Sequence, residues 1–150
     1  MTGAPDLVVR DSGVGEAIRW RAEMLVKVAA EETGGAFSLL ETVTAPGGGP
    51  PLHLHDGVDE AFYVLHGTYE FVCGDTSIGA APGAFVLLPR GVPHRYRSGP
   101  GGGRMLMLFS PGGTERYFRA LAVASSEGEP PADEVARLAE HHGIQLLGSY

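Results

Sequence analysis

The chain has 150 residues, which suits one domain large enough to bury a core. Hydrophobic residues make up 43% of it and charged residues 19%, which excludes wholesale disorder. The net charge of −7 argues against a broad surface for nucleic acid or for an anionic membrane.

Cysteine content and hydropathy exclude further classes of protein. Cys73 is the only cysteine, so the chain can form no internal disulfide and no cysteine-rich zinc site. No apolar run approaches the roughly 18–20 residues of a spanning helix, and residues 1–13 lack the pattern of a secretory signal. We therefore expect a soluble cytoplasmic protein with no nucleic-acid or membrane partner.

Short β-type runs separated by glycine and proline dominate the first 110 residues. Their spacing, often about 8–12 residues, is typical of a β-sandwich or a β-barrel. The predicted strands cover residues 7–10, 24–28, 37–43, 61–65, 68–73, 76–78, 84–88, 94–97 and 105–109.

Glycine and proline mark the connections between these strands. The sequence CGDTS at 73–77 predicts a tight hairpin, because Gly74 tolerates a positive φ. The sequence APGAF at 81–85 predicts a second turn, in which proline presets φ and glycine follows. The glycine-rich sequence SGPGGGR at 98–104 predicts a loop.

The period of the apolar residues changes after the last predicted strand. Tyr117, Phe118 and Leu121 stand at helical spacing, with Thr114 as the N-cap. A second helix is predicted in residues 131–143, with a proline in its first turn and a glycine as its stop. The predicted fold is all-β, a small barrel followed by two short C-terminal helices.

Residues 50–67, PPLHLHDGVDEAFYVLHG, place ionisable groups inside an apolar strand pattern. Side chains two positions apart on a strand share a face, so His53 and His55 are neighbours. Glu60 begins the next strand, and the interior of a barrel would then receive two imidazoles and a carboxylate. Unpaired burial costs on the order of 1–3 kcal/mol for a neutral polar group and more for a carboxylate. A divalent cation that takes all three as ligands removes this cost.

A fourth ligand is available downstream. His94 re-enters a strand after a turn that Pro89 and Pro93 stiffen around Gly91, which suits a residue whose imidazole must be aimed. Three histidines and a glutamate form a mixed nitrogen and oxygen site. We predict one divalent metal ion per chain, either Fe, Ni, Mn, Co or Cu, with Zn as an alternative, and the donor set does not choose among them.

These residues belong to two spaced motifs. Residues 47–67 read G-x5-H-x-H-x4-E-x6-G, and residues 83–98 read G-x5-P-x-G-x2-H-x3-S. The two motifs resemble the signatures of the cupin superfamily, and the resemblance spans roughly residues 35–110. It implies a double-stranded β-helix, or jelly-roll, barrel.

The resemblance also implies which residues bind the metal. The implied ligands are His53, His55, Glu60 and His94. The second motif departs from the family at its last position, where the family usually has asparagine and this chain has Ser98. That position is not a ligand in the family, so the departure bears on the geometry of a loop and leaves the site intact.

Three phrases carry a narrower resemblance. The stretches DEAFYVLHGTYEF, LLPRGVPHRY and PGGTERYF are similar to small single-domain bacterial cupins related to quercetinases, the flavonol dioxygenases. The resemblance implies a metal-dependent dioxygenase that acts on a flavonol-like, phenolic or enolisable small molecule. Because the ligand glutamate of that family can accept the substrate's hydroxyl proton, Glu60 would be both a ligand and the catalytic base.

Two alternatives to a dioxygenase stay open. Related single-domain cupins include polyketide cyclases, isomerases and sensors without chemistry. The chain could therefore be a redox-neutral metal-dependent polyketide cyclase or isomerase, or a non-catalytic cupin that binds a small molecule. All three functions need the same ligands.

An apolar wall is expected around the metal. Its soft methionines and its aromatic side chains suit a planar aromatic or polyketide-like substrate, although core packing explains any one of them alone. The predicted substrate-binding residues are Phe62, Val64, Tyr96, Met105, Met107 and Phe109.

The chain is expected to have three segments. N-terminal strands in residues 1–34 would pack on the barrel or on a partner, the cupin barrel would cover residues 35–110, and a helical extension would cover residues 111–150. Edge strands from the first segment could pair between subunits, so we expect a homodimer.

Overall fold

The computed structural model describes residues 6–149, so residues 1–5 and 150 of the two predicted outer segments lie outside it. The described strands are β1 (Glu16–Trp20), β2 (Ala22–Val28), β3 (Ser38–Thr44), β4 (His53–His55), β5 (Asp59–Cys73), β6 (Thr76–Ala80), β7 (Phe85–Leu88), β8 (His94–Ser110) and β9 (Ile144–Leu146). The helices are α1 (Glu115–Ala124) and α2 (Ala132–His141), with a 3-10 turn at Ala30–Thr33.

The strands form one antiparallel sheet that curls into a jelly roll. The path of paired strands runs β1-β2-β3-β8-β4-β9, while β5 pairs with β6, β7 and β8. The long pairing of β5 with β8 extends from Asp59 opposite Ser110 to Cys73 opposite His94. The predicted all-β fold with two C-terminal helices is confirmed.

Alternation along β5 builds the interior. Phe62 and Val64 are buried, whereas Tyr63 between them is 45% exposed. The pairing with β8 shifts by one residue after Val64, and this bulge brings Tyr69 and Phe71 to the inner face farther along the strand. The rings of Phe62 and Phe71 pack 5.1 Å apart, and each buried phenylalanine contributes roughly 1.5–3 kcal/mol of hydrophobic stabilisation.

The predicted N-terminal strand at 7–10 is wrong. Leu7 is 91% exposed and Val9 is 66% exposed, and neither lies in the sheet. The first strand is instead β1, which pairs with β2 along its whole length and buries Ile18 and Trp20. Apolar residues without a sheet partner do not make a strand, whereas two buried side chains in register with β2 do.

The predicted loop at 98–104 is also wrong in part. These residues lie within β8, which joins two strands that were predicted separately. Ser98 pairs with Tyr69 and Gly103 pairs with Gly67, so residues 99–102 bulge out opposite one residue of β5. The predicted strands 61–65 and 68–73 are likewise parts of β5, because glycines at the bulge let the backbones stay paired while the strand bends.

The two predicted helices are confirmed. Thr114 occupies the N-cap of α1, but its side chain makes no capping hydrogen bond. The buried carboxylate of Glu115 instead accepts hydrogen bonds from the backbone N–H groups of Ala30 and Gly113, at 2.7 and 3.1 Å. Neither helix of the described chain combines the length and hydrophobicity needed to cross a bilayer.

Replacing Gly67 by alanine tests the close approach of the two longest strands. Gly67 has a φ of +76°, and a Cβ there would lie 2.2 Å from the carbonyl oxygen of Gly102. Gly47 has a φ of +68°, but a Cβ there meets nothing within 4 Å. The left-handed backbone alone costs roughly 1–2 kcal/mol in a non-glycine residue. We expect Gly47→Ala to lower the free energy of unfolding by about that amount and Gly67→Ala by about 2 kcal/mol more, because only the second meets a backbone atom.

Urea unfolding of both variants checks this difference. Equal losses of stability would contradict the close approach of Gly67 to Gly102.

Candidate metal centre and its cavity

Four buried side chains converge inside the jelly roll. One potential ligand atom from each lies within 4.8 Å of those from the other three. The four residues are His53, His55, Glu60 and His94.

Strand pairing produces this convergence. His53 on β4 pairs directly with His94 on β8, and their ring centroids are 4.5 Å apart. His55 follows on the same buried face of β4, and Glu60 stands near the start of β5. The predicted grouping of the four residues is therefore observed.

The backbone orients two of the imidazoles. The Nδ1 atom of His53 lies 2.8 Å from the carbonyl oxygen of Pro51, and that of His94 lies 2.9 Å from the carbonyl oxygen of Val92. A carbonyl only accepts, so each Nδ1 donates a proton, which leaves Nε2 as the nitrogen that can bind a metal when it carries no proton. Orientation of this kind is typical of metal-binding histidines, so these residues fit a metal ion.

The carboxylate of Glu60 connects the histidines. Its Oε2 atom lies 3.0 Å from Nε2 of His94 and 3.3 Å from Nε2 of His55. Burial raises the pKa of Glu60, but hydrogen bonds and charge from His55 and His94 outweigh burial and hold that pKa well below its usual range. Burial also lowers the pKa of His53 to about 4, so its ring is neutral near pH 7, the form that binds a metal.

The turn before His94 is tied to both neighbouring strands. The N–H of Gly91, where φ is +74°, donates to the carbonyl oxygen of His55 at 2.8 Å. The side chain of Arg90 makes a two-pronged contact with Asp59, at 3.1 and 3.0 Å, and hydrogen bonds from Arg90 lower the pKa of Asp59 to about 2. The turn thus carries His94 at a fixed distance from His55 and Glu60.

Ser98, the departure from the family motif, anchors the loop before β4. Its hydroxyl donates to the carbonyl oxygen of Ala45 at 2.6 Å, and its N–H donates to the carbonyl oxygen of Gly48 at 2.9 Å. The loop geometry is therefore held by serine in this chain.

Strand β9 supports the ligand strand β4 and was not predicted. His55 pairs with Ile144, and Asp56 accepts a hydrogen bond from the Gln145 side chain at 2.7 Å. The three apolar and polar residues of β9 are too few for a periodicity signal. The positive φ of Gly143, after the end of α2, lets the chain turn back toward β4.

A cavity of about 80 Å³ opens beside the cluster. Tyr96 and Met107, two of the six predicted substrate-binding residues, line it. The structure places the other four in the packed core, at 1% exposure or less. These four are Phe62, Val64, Met105 and Phe109.

Nearly half of the residues that line the cavity come from elements outside the predicted barrel. The β1–β2 hairpin contributes Trp20 and Arg21, and α1 contributes Tyr117 and Phe118. Strand β9 adds two apolar side chains. In the sequence, Tyr117 and Phe118 show only the spacing of a helix that packs on something, and the single tryptophan is the other signal for this wall.

Comparison with known proteins identifies the family. Residues 40–115, just over half of the chain, match the family model of the cupin domain. The chain is a cupin. The match contains all four residues of the cluster, whereas Trp20, Arg21 and β9 lie outside it. The cupin matches none of the curated protein sequences with which it was compared.

Solved structures resemble the cupin over most of its length. The polyketide cyclase RemF from Streptomyces resistomycificus is 25% identical, with a TM-score of 0.59, covering 70% of this chain and 79% of RemF. KdgF from Halomonas sp. is 15% identical, with a TM-score of 0.62, covering 74% of this chain and 99% of KdgF. The nucleoside dehydratase Pac13 from Streptomyces is 12% identical, with a TM-score of 0.59, covering 74% of this chain and 88% of Pac13. The last two likenesses show the fold alone.

Removing two ligands tests the metal centre. We expect the protein to bind one divalent metal ion per chain and the variant His53→Ala/His55→Ala to lose it, because half of the ligand set is gone. Mass spectrometry of protein purified without an affinity tag, before and after reconstitution, measures the metal. The control His66→Ala removes an exposed histidine of β5 and should keep the metal. Equal metal content in the double variant and in the wild type would contradict the site.

Proposed function

We propose that this cupin is a metal-dependent enzyme that oxygenates an enolisable or phenolic small molecule with dioxygen. The observation that carries the proposal is the position of Glu60. A buried carboxylate stands among three histidines at a cavity whose other walls are largely apolar and aromatic. Such a site can hold an aromatic molecule and take a proton from it.

The four clustered residues would hold the metal ion through three imidazole nitrogens and a carboxylate oxygen. When bound, a divalent cation supplies Lewis-acid stabilisation of an enolate or phenolate oxygen, and a redox-capable one also opens the reaction to dioxygen.

The proton of the substrate hydroxyl goes to Glu60. Both histidine contacts of Glu60 use Oε2, so Oε1 is the oxygen that can receive the proton. The low pKa of the carboxyl group keeps it ionised before substrate binds. The substrate oxygen that loses the proton would stay near the histidines. The proton on Glu60 would then remain close to the carbon atoms at which the reaction occurs.

Aromatic side chains hold the substrate and exclude water. Trp20, Tyr96, Tyr117 and Phe118 stand around the cavity, and Trp20 and Tyr117 are 6% and 2% exposed. Flat aromatic surfaces favour a planar ligand, and a dry cavity protects a reactive intermediate from hydrolysis. A flavonol-like or polyketide-like molecule has this shape.

The choice of dioxygenation is supported by the sequence resemblance to quercetinase-like cupins. The stretch PGGTERYF, which carries part of that resemblance, leads into α1, and its last residues, Tyr117 and Phe118, line the cavity. The resemblance therefore includes residues that would touch the substrate.

A redox-neutral cyclisation is the second candidate. It is supported by the likeness to the polyketide cyclase RemF, at 25% identity. The same cluster would polarise a carbonyl group, and Glu60 would remove a proton from the adjacent carbon without any consumption of oxygen.

Glutamate-to-glutamine exchange tests the proposed base. Glu60→Gln should lower kcat by about 10²–10⁴-fold, the usual contribution of general acid–base catalysis. The control Glu70→Gln, which changes an exposed carboxylate of the same strand, should leave kcat unchanged. Metal content is measured in both variants, so that a lost ion is not mistaken for a lost base.

Oxygen uptake by protein reconstituted with each candidate metal decides between the reactions. Flavonols, other phenols and linear polyketide analogues are the substrates, and mass spectrometry identifies the products. Uptake of oxygen with two added oxygen atoms supports the dioxygenase. Turnover without uptake contradicts it and supports cyclisation, and binding without any product contradicts an enzyme of either kind.

A further inference from the structure

The cavity wall contains an arginine in an unusual backbone conformation. Arg21 alone joins β1 to β2, because Trp20 pairs directly with Ala22. Its φ is +51°, and all other positive φ values of residues 6–149 belong to glycines. A side chain at such a position disfavours the fold relative to glycine, so it points to a role for that side chain.

Arg21 brings a cation to a largely apolar wall. Among the described residues that line the cavity, Arg21 is the only lysine or arginine. Its guanidinium carbon lies 5.4 Å from the ring centroid of Trp20. Arg21 also lines an outer groove of about 730 Å³, which shares Trp20, Ala22 and Thr44 with the cavity. Arg21 therefore borders both the cavity and the groove.

The present partner of the guanidinium is easily exchanged. Arg21 forms an ion pair with Glu129, which lies in the connection between α1 and α2. The two side chains are 45% and 61% exposed, and exposed pairs of this kind stabilise a protein little. A ligand anion held between aromatic walls is less hydrated than Glu129, so it competes well for the same nitrogen atoms.

We propose that Arg21 selects substrates with a carboxylate or a similarly acidic group at the end remote from the metal cluster. Glu129 occupies the guanidinium until the substrate anion replaces it. This inference rests on the proposed function in one respect, that the substrate enters the metal cavity. The net charge of −7 gives no general attraction for anions, so any preference for them must come from a local cation.

Intrinsic fluorescence tests the selection directly. Trp20 is the only tryptophan of the chain and lies beside Arg21. The probes are 4-hydroxybenzoate and 4-hydroxycinnamate, each compared with its neutral amide, so that two lengths are covered. We expect zinc-loaded wild-type protein to bind at least one acid about 10-fold more tightly than its amide. We expect Arg21→Gln to bind acid and amide equally, and Glu129→Gln to bind the acid a few-fold more tightly than wild type.

Two further variants separate selection from a structural role. Arg19→Gln removes an 81% exposed arginine of the neighbouring strand β1 and should keep the preference for acids. Arg21→Gly should raise the melting temperature by about 2–4 °C, because glycine accepts the left-handed backbone, and should still lose the preference. A structural arginine would show no such separation of stability from ligand choice.

The outcomes distinguish this inference from the proposed function. Equal binding of acid and amide at both lengths, or an unchanged preference in Arg21→Gln, overturns the role of Arg21 and leaves the metal enzyme standing. A preference that depends on Arg21 in protein that binds no metal supports the role of Arg21 and contradicts the proposed function.

Discussion

The buried carboxylate of Glu60 is the constraint on which the rest of the structure depends. Glu60 is 4% exposed, and an ionised carboxylate so far from water destabilises a fold unless donors or cations surround it. The donors are His55 and His94, whose Nε2 atoms both face its Oε2. The turn before His94 is held to His55 and Asp59, which keeps those distances short. The same arrangement that compensates the charge therefore also brings together four side chains that could hold a metal ion.

Orientation of the histidines is encoded locally. His53 and His94 each donate from Nδ1 to the carbonyl group two residues earlier, at Pro51 and Val92. A proline precedes each histidine, Pro51 two positions before His53 and Pro93 directly before His94, and it restricts the backbone that carries that carbonyl group. Two ligands on different strands thus use the same short-range device, and a long-range network is not needed to aim them.

The sequence predicted the four clustered residues of the site better than the walls of its cavity. His53, His55, Glu60 and His94 follow from strand parity, turn chemistry and motif spacing, which are local properties. Trp20 and β9 could not be found in this way, because their positions depend on strand pairing. Trp20 depends on the pairing of β1 with β2, and β9 pairs with β4, which lies more than 80 residues earlier in the chain. The prediction of a strand at 7–10 was wrong because strand formation also depends on pairing, and these apolar residues have no partner in the sheet. The alternation of apolar residues also could not distinguish core residues from residues of the cavity wall. It placed Phe62 and Met107 in one group, although only Met107 lines the cavity.

The four clustered side chains and nearly half of the cavity wall therefore belong to different parts of this cupin. The segment that matches the family, residues 40–115, carries every residue of the metal cluster. The parts that close the cavity lie at its borders or beyond them, in the β1–β2 hairpin, in α1 and in β9. The β1–β2 hairpin and α1 contribute no residue to the cluster, so changes there can alter which molecule fits without replacing a ligand, whereas β9 pairs directly with the strand that carries His53 and His55. This separation is consistent with similar folds in a cyclase and in a dehydratase. The walls of the cavity, more than the four clustered side chains, thus determine which molecules fit beside the cluster.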